Sequence, residues 1–513
     1  MSQDLQIGVG SGGLSTVLLV IAGLLIAAGV FWFAKRQESN VATGKGGLAI
    51  WRDLKPHLSA KSAVKAANQR VPQLSGITDI GLCGVHLANF GNVGIHIQHE
   101  DAVLVFGPPR SGKTLYVANK MTASAIGPVV VTSTKADVLK ATVRSRHRRG
   151  KVWLFDLDAV AGAAAEGTQP LRWNPVVGCD DPEIATRRGE AWAAAQPMGN
   201  VKNGDWFNRK AGGVLSRLLC AAALDNRPVT DLLIWANELG STEPVGILQR
   251  HGRKEWATAL KSVGTSRAGE SVDSIKLTLE DLLEPLNSPR VVDAMTATGE
   301  DSFSPAHFLD DANSLYLIAA EGAEATAAPL FTMLVQEVIQ AAKLRSQQPS
   351  TSPGGSGGGF LWPPLRCVLD EVANVAPLPK LEQHMADTGG RGIQLVPIAQ
   401  AFSQLKRRWG AEGAEAIKNT ATTRLYLPGI DEQEIWKYLE ERAGRKQVSQ
   451  TSTSRGQQGR STSTQLVWES VLPASEVPQI PVGTAWMVYR HLPVTKVNLQ
   501  FHHDEQSDLG ARR

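Results

Sequence analysis

Cysteine is scarce and scattered. The four thiols, Cys83, Cys179, Cys220 and Cys367, show no C-x-x-C spacing, which excludes a zinc ribbon and a disulfide framework and reads as buried thiols in a reducing compartment. Net charge is small as well: 53 Lys and Arg against 49 Asp and Glu leave +4 over 513 residues, too little to declare a nucleic-acid binder from composition. From Leu14 to Ala34 charge is missing altogether. A helix of that length, at ~1.5 Å per residue, matches the ~30 Å hydrocarbon core, so this segment is expected to span a membrane. A cleaved signal peptide wants a basic n-region and a shorter apolar stretch, whereas the only charge before this run is Asp4. Lys35, Arg36, Lys45, Arg52, Lys55, Lys61 and Lys65 follow it. The positive-inside bias therefore puts the N-terminus outside and the bulk of the chain in the cytoplasm, single-pass in the cell's inner membrane. Gly23 and Ala27 form a small-xxx-small pair that suits helix association or lipid exposure equally.

Against these absences stands one dense local signal, Gly107-Pro108-Pro109-Arg110-Ser111-Gly112-Lys113-Thr114. It follows the apolar run Ala102 to Phe106, short enough for a buried strand, and precedes Leu115 to Ala125, which can be helical. Such a loop lets backbone N–H groups wrap phosphates while the helix N-terminus adds positive potential. Lys113 is expected on the outer phosphates and Thr114 on magnesium, so ATP and Mg2+ are the expected cofactors. Far downstream, Cys367-Val368-Leu369 delivers Asp370 and Glu371. An apolar strand ending in two acids can simply run out into solvent. Beside a phosphate cradle it supplies a metal-holding acid, Asp370, and an acid that orients the attacking water, Glu371. The expected activity is nucleoside triphosphate hydrolysis.

Strand-like runs at Ala102 to Phe106, Pro128 to Thr132, Val152 to Phe155, Ser314 to Ile318, Arg366 to Leu369, Gln394 to Ile398, Thr423 to Leu427 and Ala485 to Tyr489 alternate with helical stretches. They predict an α/β fold with a parallel sheet covered on both faces. Between Pro182 and about Val292 the pattern turns Ala- and Leu-rich, including Val214 to Leu224, Val229 to Glu238 and Ile275 to Leu286. This predicts an inserted all-α domain. The expected division is a tail at 1–13, a transmembrane helix at 14–34, a juxtamembrane segment at 35–80, a nucleotide-binding domain at 81–182 and 293–502, the all-α insertion at 183–292, and a disordered tail at 503–513. Ser352 to Gly359 reads as a flexible linker, and Gln447 to Gln465, rich in Ser, Thr, Gln and Gly, as a mobile loop. Two basic clusters, Arg144, Arg146, His147, Arg148, Arg149, Lys151 and Lys406, Arg407, Arg408, suit either a channel for a polyanion or a solvated helix face.

Several ordered elements together resemble a known family. Leu369-Asp370-Glu371-Val372-Ala373-Asn374-Val375, Leu378 to Glu382, Gly390-Arg391-Gly392-Ile393 and Gln400 to Leu405, with Trp173-Asn174-Pro175 and the phosphate loop, are similar to elements of TraG/TraD-like type IV secretion coupling proteins. The resemblance runs from the apolar segment to about Phe501. It implies a RecA-like P-loop ATPase domain with an all-α insertion, a membrane-anchored N-terminus and hexamers at the inner membrane. It also implies recruitment of a relaxase bound to single-stranded DNA and its delivery to the secretion channel in conjugation. Gln400 then resembles the sensor of the γ-phosphate, and Arg391 is the candidate arginine contributed to a neighbour's site. Family members often carry Gly-Arg-Gly-Arg-Gly here, and this chain has Gly389 in place of the first arginine. Should that first arginine be the one contributed, Arg391 is no substitute for it. One apolar span stands where many members have two, and Lys406-Arg407-Arg408 makes an often acidic position basic. Two other machines share the ATPase residues: an exporter of proteins without DNA, and a double-stranded DNA pump. The pump usually ends in a winged helix, and no candidate follows Phe501.

Overall fold

The computed structural model describes residues 47–195, 204–265, 269–320, 322, 324–348, 359–456 and 459–501. The expected membrane span, the linker at 352–358 and the C-terminal tail lie outside them. Among the described residues no helix is long and apolar enough to cross a membrane.

All eight runs read from the sequence are strands, joined among the described residues by six that alternation did not reveal. In chain order they are β1 (Val85–Phe90), β2 (Val93–Ile97), β3 (Val103–Phe106), β4 (Val129–Ser133), β5 (Val152–Asp156), β6 (Gln169–Pro170), β7 (Ser314–Ile318), β8 (Leu365–Leu369), β9 (Ile393–Ala399), β10 (Thr423–Tyr426), β11 (Arg445–Gly456), β12 (Gly459–Ser470), β13 (Thr484–Tyr489) and β14 (Thr495–Asn498). Twelve form one sheet in the order β2-β1-β14-β13-β10-β3-β9-β8-β4-β7-β5-β6. From β10 to β6 every pairing is parallel, whereas β13, β14, β1 and β2 add an antiparallel flank. Strands β3, β4, β7, β8 and β9 are buried at every position, as parallel strands covered on both faces must be. Their continuous apolar runs made them legible; β1 and β2, with His86, Asn89, Gly94 and His96 among the apolar residues, carry a broken pattern.

The two faces of the sheet feed separate cores. On one side Val103, Val105, Val129, Val131, Val368 and Val396 pack with Leu54 and Leu58 of helix Trp51–Leu58. On the other Leu104, Phe106, Leu369 and Leu395 meet Phe331 and Leu334 of helix Glu324–Gln347. Phe106 is fully buried, stacks on Tyr426 and meets Phe402 edge-on; its burial alone is worth ~2–3 kcal/mol.

Between β6 and β7 every described regular element is helical, from Pro182–Ala194 to Pro305–Phe308. Trp192 and Trp235 anchor this region and are almost fully buried, and Trp192 Nε1 donates to Leu282 O at 2.7 Å. Arg187 and Arg188 both pair with Glu337 of helix Glu324–Gln347, at 2.7 and 2.9 Å, tying the helical region to the sheet's covering layer.

Three expectations need correction. The segment Gln447 to Gln465 is not a loop: β11 and β12 pair over twelve registered positions, from Arg445 with Ser470 to Gly456 with Gly459. Composition hid an alternation of β-branched Thr and Val with Ser and Gln, which suits a two-stranded ribbon. The basic clusters are not uniform faces either. Arg146 is fully buried and donates to Ala125 O, Gly127 O, Ala312 O, Asn313 O and Ser314 Oγ. Arg408 donates to Ala194 O and Ala195 O at the end of helix Pro182–Ala194, where a cation meets unpaired carbonyls; Lys406 pairs with Glu434.

Candidate nucleotide site

The parallel register brings three strand ends to one edge. Phe106 of β3 is level with Ala399 of β9, and Leu369 of β8 pairs with Pro397. The residues that follow, Gly107, Gln400 and Asp370, therefore emerge side by side at the carboxyl ends of adjacent strands, where open parallel sheets place their ligands. β9 lies between the other two strands, so the two sequence segments face each other across one strand.

After β3 the chain turns sharply, with Arg110 at φ 64° and Gly112 at φ 93°. At Gly112 an added Cβ would lie 2.6 Å from the Tyr116 ring, and at Gly107 one would lie 2.5 Å from Ser111 Oγ. Both glycines are thus required by the close path of the loop. The helix begins at Lys113, and its first turn is widened, with Asn119 N donating to Thr114 O. Such a widening is a recurrent feature of functional sites. Pro108, Pro109 and Arg110 form the outer rim of the loop, and Ser111 is buried at its base.

The chemistry-bearing groups converge. Thr114 Oγ1 donates to Asp370 Oδ2 at 3.3 Å. Asp370 is 5% exposed; burial pushes its carboxyl up to about 6, against the pull of the Lys113 cation. Burial lowers the Lys113 ammonium from its ordinary value, while Asp370 and Glu371 raise it; its Nζ donates to Pro108 O at 3.1 Å. Glu371 sits in the left-handed region at φ 52°, opening a turn in which Asn374 N and Val375 N donate to its carbonyl. Gln400 Nε2 donates to Glu371 Oε1 at 2.9 Å, joining the acid after β8 to the amide after β9.

Sequence reasoning missed two supporting residues. Gln404 Oε1 accepts from Gln400 N at 3.0 Å, a spacing of four residues that was readable once Gln400 was singled out. Thr132 Oγ1 donates to Asp370 O at 2.9 Å; it lies on β4, and no local signal pointed to it.

Arg391 is not brought to this cluster. It precedes β9, whereas Gln400 follows it, and the seven-residue strand separates them by ~20 Å. Its guanidinium pairs with Asp387 at 3.0 Å, and Asp387 also holds Lys343 at 2.9 Å. At Gly389 an added Cβ would lie 2.3 Å from Glu100 O, so the backbone of this chain excludes the family's first arginine.

The residues present fit a triphosphate with magnesium. Two glycines keep the cradle free of Cβ atoms, and the buried Ser111 Oγ has no hydrogen-bond partner within the described chain. No group of three or more His, Cys, Asp or Glu able to hold a metal occurs among the described residues. Magnesium needs no such cage, since it takes one or two protein ligands with phosphate oxygens and water, and Thr114 with Asp370, joined at 3.3 Å, could supply them.

Comparison with known proteins agrees with this geometry. Residues 364–482, from β8 through the ribbon and beyond, match the family model described as the TraM recognition site of TraD and TraG. No curated protein sequence matches the chain. Among solved structures, the unbound bacterial conjugative coupling protein TrwBdeltaN70 superposes at a TM-score of 0.59 with 17% identity, covering 87% of this chain and 92% of that one. TrwB with a non-hydrolysable ATP analogue gives 0.58 at 16% identity over 87% and 93% of the two chains. TrwB with ADP and Mg2+ gives 0.55 at 17% over 79% and 86%. The chain thus resembles the TraG/TraD-like coupling proteins, in sequence over residues 364–482 and in fold over most of its length.

Proposed function

We propose that this chain is a membrane-anchored ATPase that couples a relaxase-bound single-stranded DNA substrate to a type IV secretion channel, working as a homo-hexamer at the inner membrane. One observation carries the reading: Thr114, Asp370, Glu371 and Gln400, from three separate strand ends, are joined by hydrogen bonds, with the Lys113 ammonium in the field of the two acids. A protein that only bound nucleotide would not need an acid held by a neighbouring amide next to the metal-binding pair.

Each side chain has a distinct task. The backbone N–H groups after the two prolines, from Arg110 into the start of the helix, hold phosphate oxygens, and Lys113 neutralises the outer ones. Thr114 and Asp370 hold magnesium, which when bound neutralises charge developing on the phosphates. Glu371 orients a water and accepts its proton. Gln400 fixes the Glu371 carboxylate and follows the strand end that lies level with the end of β3. Arg391 is too far from its own site, so any catalytic contribution from it is made to the neighbouring subunit of a ring.

The membrane anchor rests on the uncharged run Leu14 to Ala34 and the basic residues after it. The DNA substrate rests on the likeness to TraD, TraG and TrwB; it carries the same weight for a TraM-like partner at 364–482. ATP turnover by the full chain, with and without single- and double-stranded DNA and beside Lys113→Ala, tests the whole reading. DNA-stimulated turnover that Lys113→Ala abolishes supports it. Turnover indifferent to both DNA forms turns the reading to protein export, preference for duplex to a double-stranded pump, and no turnover refutes the ATPase.

A further inference from the structure

The antiparallel flank carries two stretches of chain to the edge that holds the phosphate loop. β13 runs against β10, with Trp486 level with Tyr426, so the residues just before β13 lie beyond the carboxyl end of β10. β14 runs back again, with Asn498 opposite Thr484, and Leu499 N donates to Gly483 O at 2.8 Å. Val482, before β13, and Phe501, after β14, therefore emerge at the same edge of the sheet as Gly107 and Asp370.

There they meet the helix that follows the loop. The Tyr116 side chain lies between two glycine backbones: an added Cβ would come within 2.6 Å of its ring at Gly112 and 3.4 Å of its hydroxyl at Gly483, both glycines being at positive φ. Val482 Cγ1 comes within 3.8 Å of that same point at Gly112. The Phe501 ring is tilted against Tyr116 with centroids 5.9 Å apart. Tyr116 is half-buried, whereas Val482 is 60% and Phe501 43% exposed. Single exposed apolar residues are ordinary on a surface. Here two of them join a half-buried ring in one patch against the last glycine of the cradle.

Strand order says what this patch faces. From β3 the acids after β8 lie two strands away in one direction, while β13 and β14 lie two and three strands away in the other. In a nucleoside triphosphate the base is joined through the ribose to the α-phosphate, at the end away from the γ-phosphate. With the γ-phosphate at Glu371, the nucleoside is directed across β10 toward Val482 and Phe501. Two strand spacings are ~10 Å, a gap that a ribose and a base fill.

We propose that Tyr116, Val482 and Phe501 form the seat of the nucleotide's base, which lies by its face on the Phe501 ring and the Val482 methyls while Tyr116 backs Phe501. The proposal rests on the ATPase reading above and adds the base to it. Phenyl and isopropyl groups have no donor or acceptor, so they respond to the area of a base and not to its edge. Adenine and guanine, with the same fused rings, are taken alike, and the smaller pyrimidines less well.

The test labels the full chain with 8-azido-ATP under light and maps the labelled peptides by mass spectrometry. Label on Tyr116 or on the peptides that hold Val482 and Phe501, suppressed by excess ATP or GTP, is expected; label confined to other segments overturns the proposal. Steady-state turnover then weighs the side chains. Phe501→Ala should raise the KM for ATP about tenfold, toward the low end of what losing a base–aromatic stack costs. Val482→Ser should raise it less, and Phe501→Tyr should restore the parent value. In each variant the loss should fall on KM, with kcat within about twofold. KM values for ATP and GTP should agree within about threefold, with CTP weaker than both. Inorganic tripolyphosphate, which has no base, should inhibit the parent and Phe501→Ala equally.

An unchanged KM in both Phe501→Ala and Val482→Ser refutes the seat, and if the variants also sediment as smaller assemblies the patch belongs to a second copy of the chain. A loss of tripolyphosphate affinity as large as that for ATP refutes it too, since the damage is then to the cradle. Tenfold or greater discrimination between ATP and GTP would overturn recognition by the face alone. Failure to bind either ATP or tripolyphosphate removes the ATPase reading and the seat with it; tripolyphosphate binding beside an ATP affinity indifferent to these side chains removes the seat and leaves the ATPase.

Discussion

Replacing Arg146 by methionine should destabilise the protein by ~3–5 kcal/mol while leaving its affinity for polyanions unchanged. Arg146 sits in the cluster whose sequence suits a polyanion channel, but it is fully exposed to nothing but protein. Five acceptors share its guanidinium, and Ala125 O and Asn313 O also receive Arg149 Nη1 and Val129 N. Gly127 O and Ala312 O, at 2.9 and 2.8 Å, have no second donor among the described residues. Each carbonyl left unpaired costs ~1–3 kcal/mol, and the ties between the segments entering β4 and β7 go with them. The offset is the guanidinium's own desolvation, which also lowers its pKa to about 10, still well above neutrality. Methionine fills most of the volume, so a cavity adds little. A drop on the order of 5–10 °C in the thermal transition is expected. Arg144→Met, an exposed neighbour, should stay within about 0.5 kcal/mol. Thermal unfolding by circular dichroism, paired with DNA-binding titrations, decides between the roles. A shift below ~2 °C with weakened DNA binding would refute the structural account.

Gln400→Ala removes the amide held by Glu371 Oε1; turnover should fall by roughly 10²-fold with little change in nucleotide affinity, and an equal loss in both would sink the positioning role. Gly389→Arg cannot restore the family's first arginine, because its Cβ would meet Glu100 O at 2.3 Å; a loss of ~1–3 kcal/mol in denaturant unfolding is expected, and unchanged stability would count against the excluded position. His99 is buried and held down to about 4 by desolvation and by Arg366, so it stays neutral when folded and takes a proton on unfolding. Its contribution is fully present above pH 6.5 and is lost as pH falls through about 4; unfolding midpoints across pH 7 to 4 should decline less steeply in His99→Gln.

The antiparallel flank and the ribbon show why part of the fold was hidden. β1 and β2 carry polar residues at half-exposed positions and β14 at exposed ones, and β11 and β12 read as polar low complexity, because a strand's partner and not its composition satisfies its backbone. The central strands were legible for the opposite reason: burial on both faces forces unbroken apolar runs. The site divides the same way. Lys113, Thr114, Asp370 and Glu371 announce themselves because each stands at a fixed offset from a strand end. Thr132 and Gln404 act only through a neighbour brought close by folding, and Arg391, which the resemblance assigns to a neighbour's site, stands well away from the cluster of its own chain.

The sequence alone determined the phosphate loop, the acidic strand end, eight core strands and the helical stretch between β6 and β7, since each is encoded by contiguous residues within one element. The tertiary structure decided the strand order that puts β9 between the two motifs, the Gln400–Glu371 bond, the burial of Arg146 and the capping by Arg408. Those depend on segments far apart in the chain meeting at hydrogen-bonding distance, which local spacing does not specify.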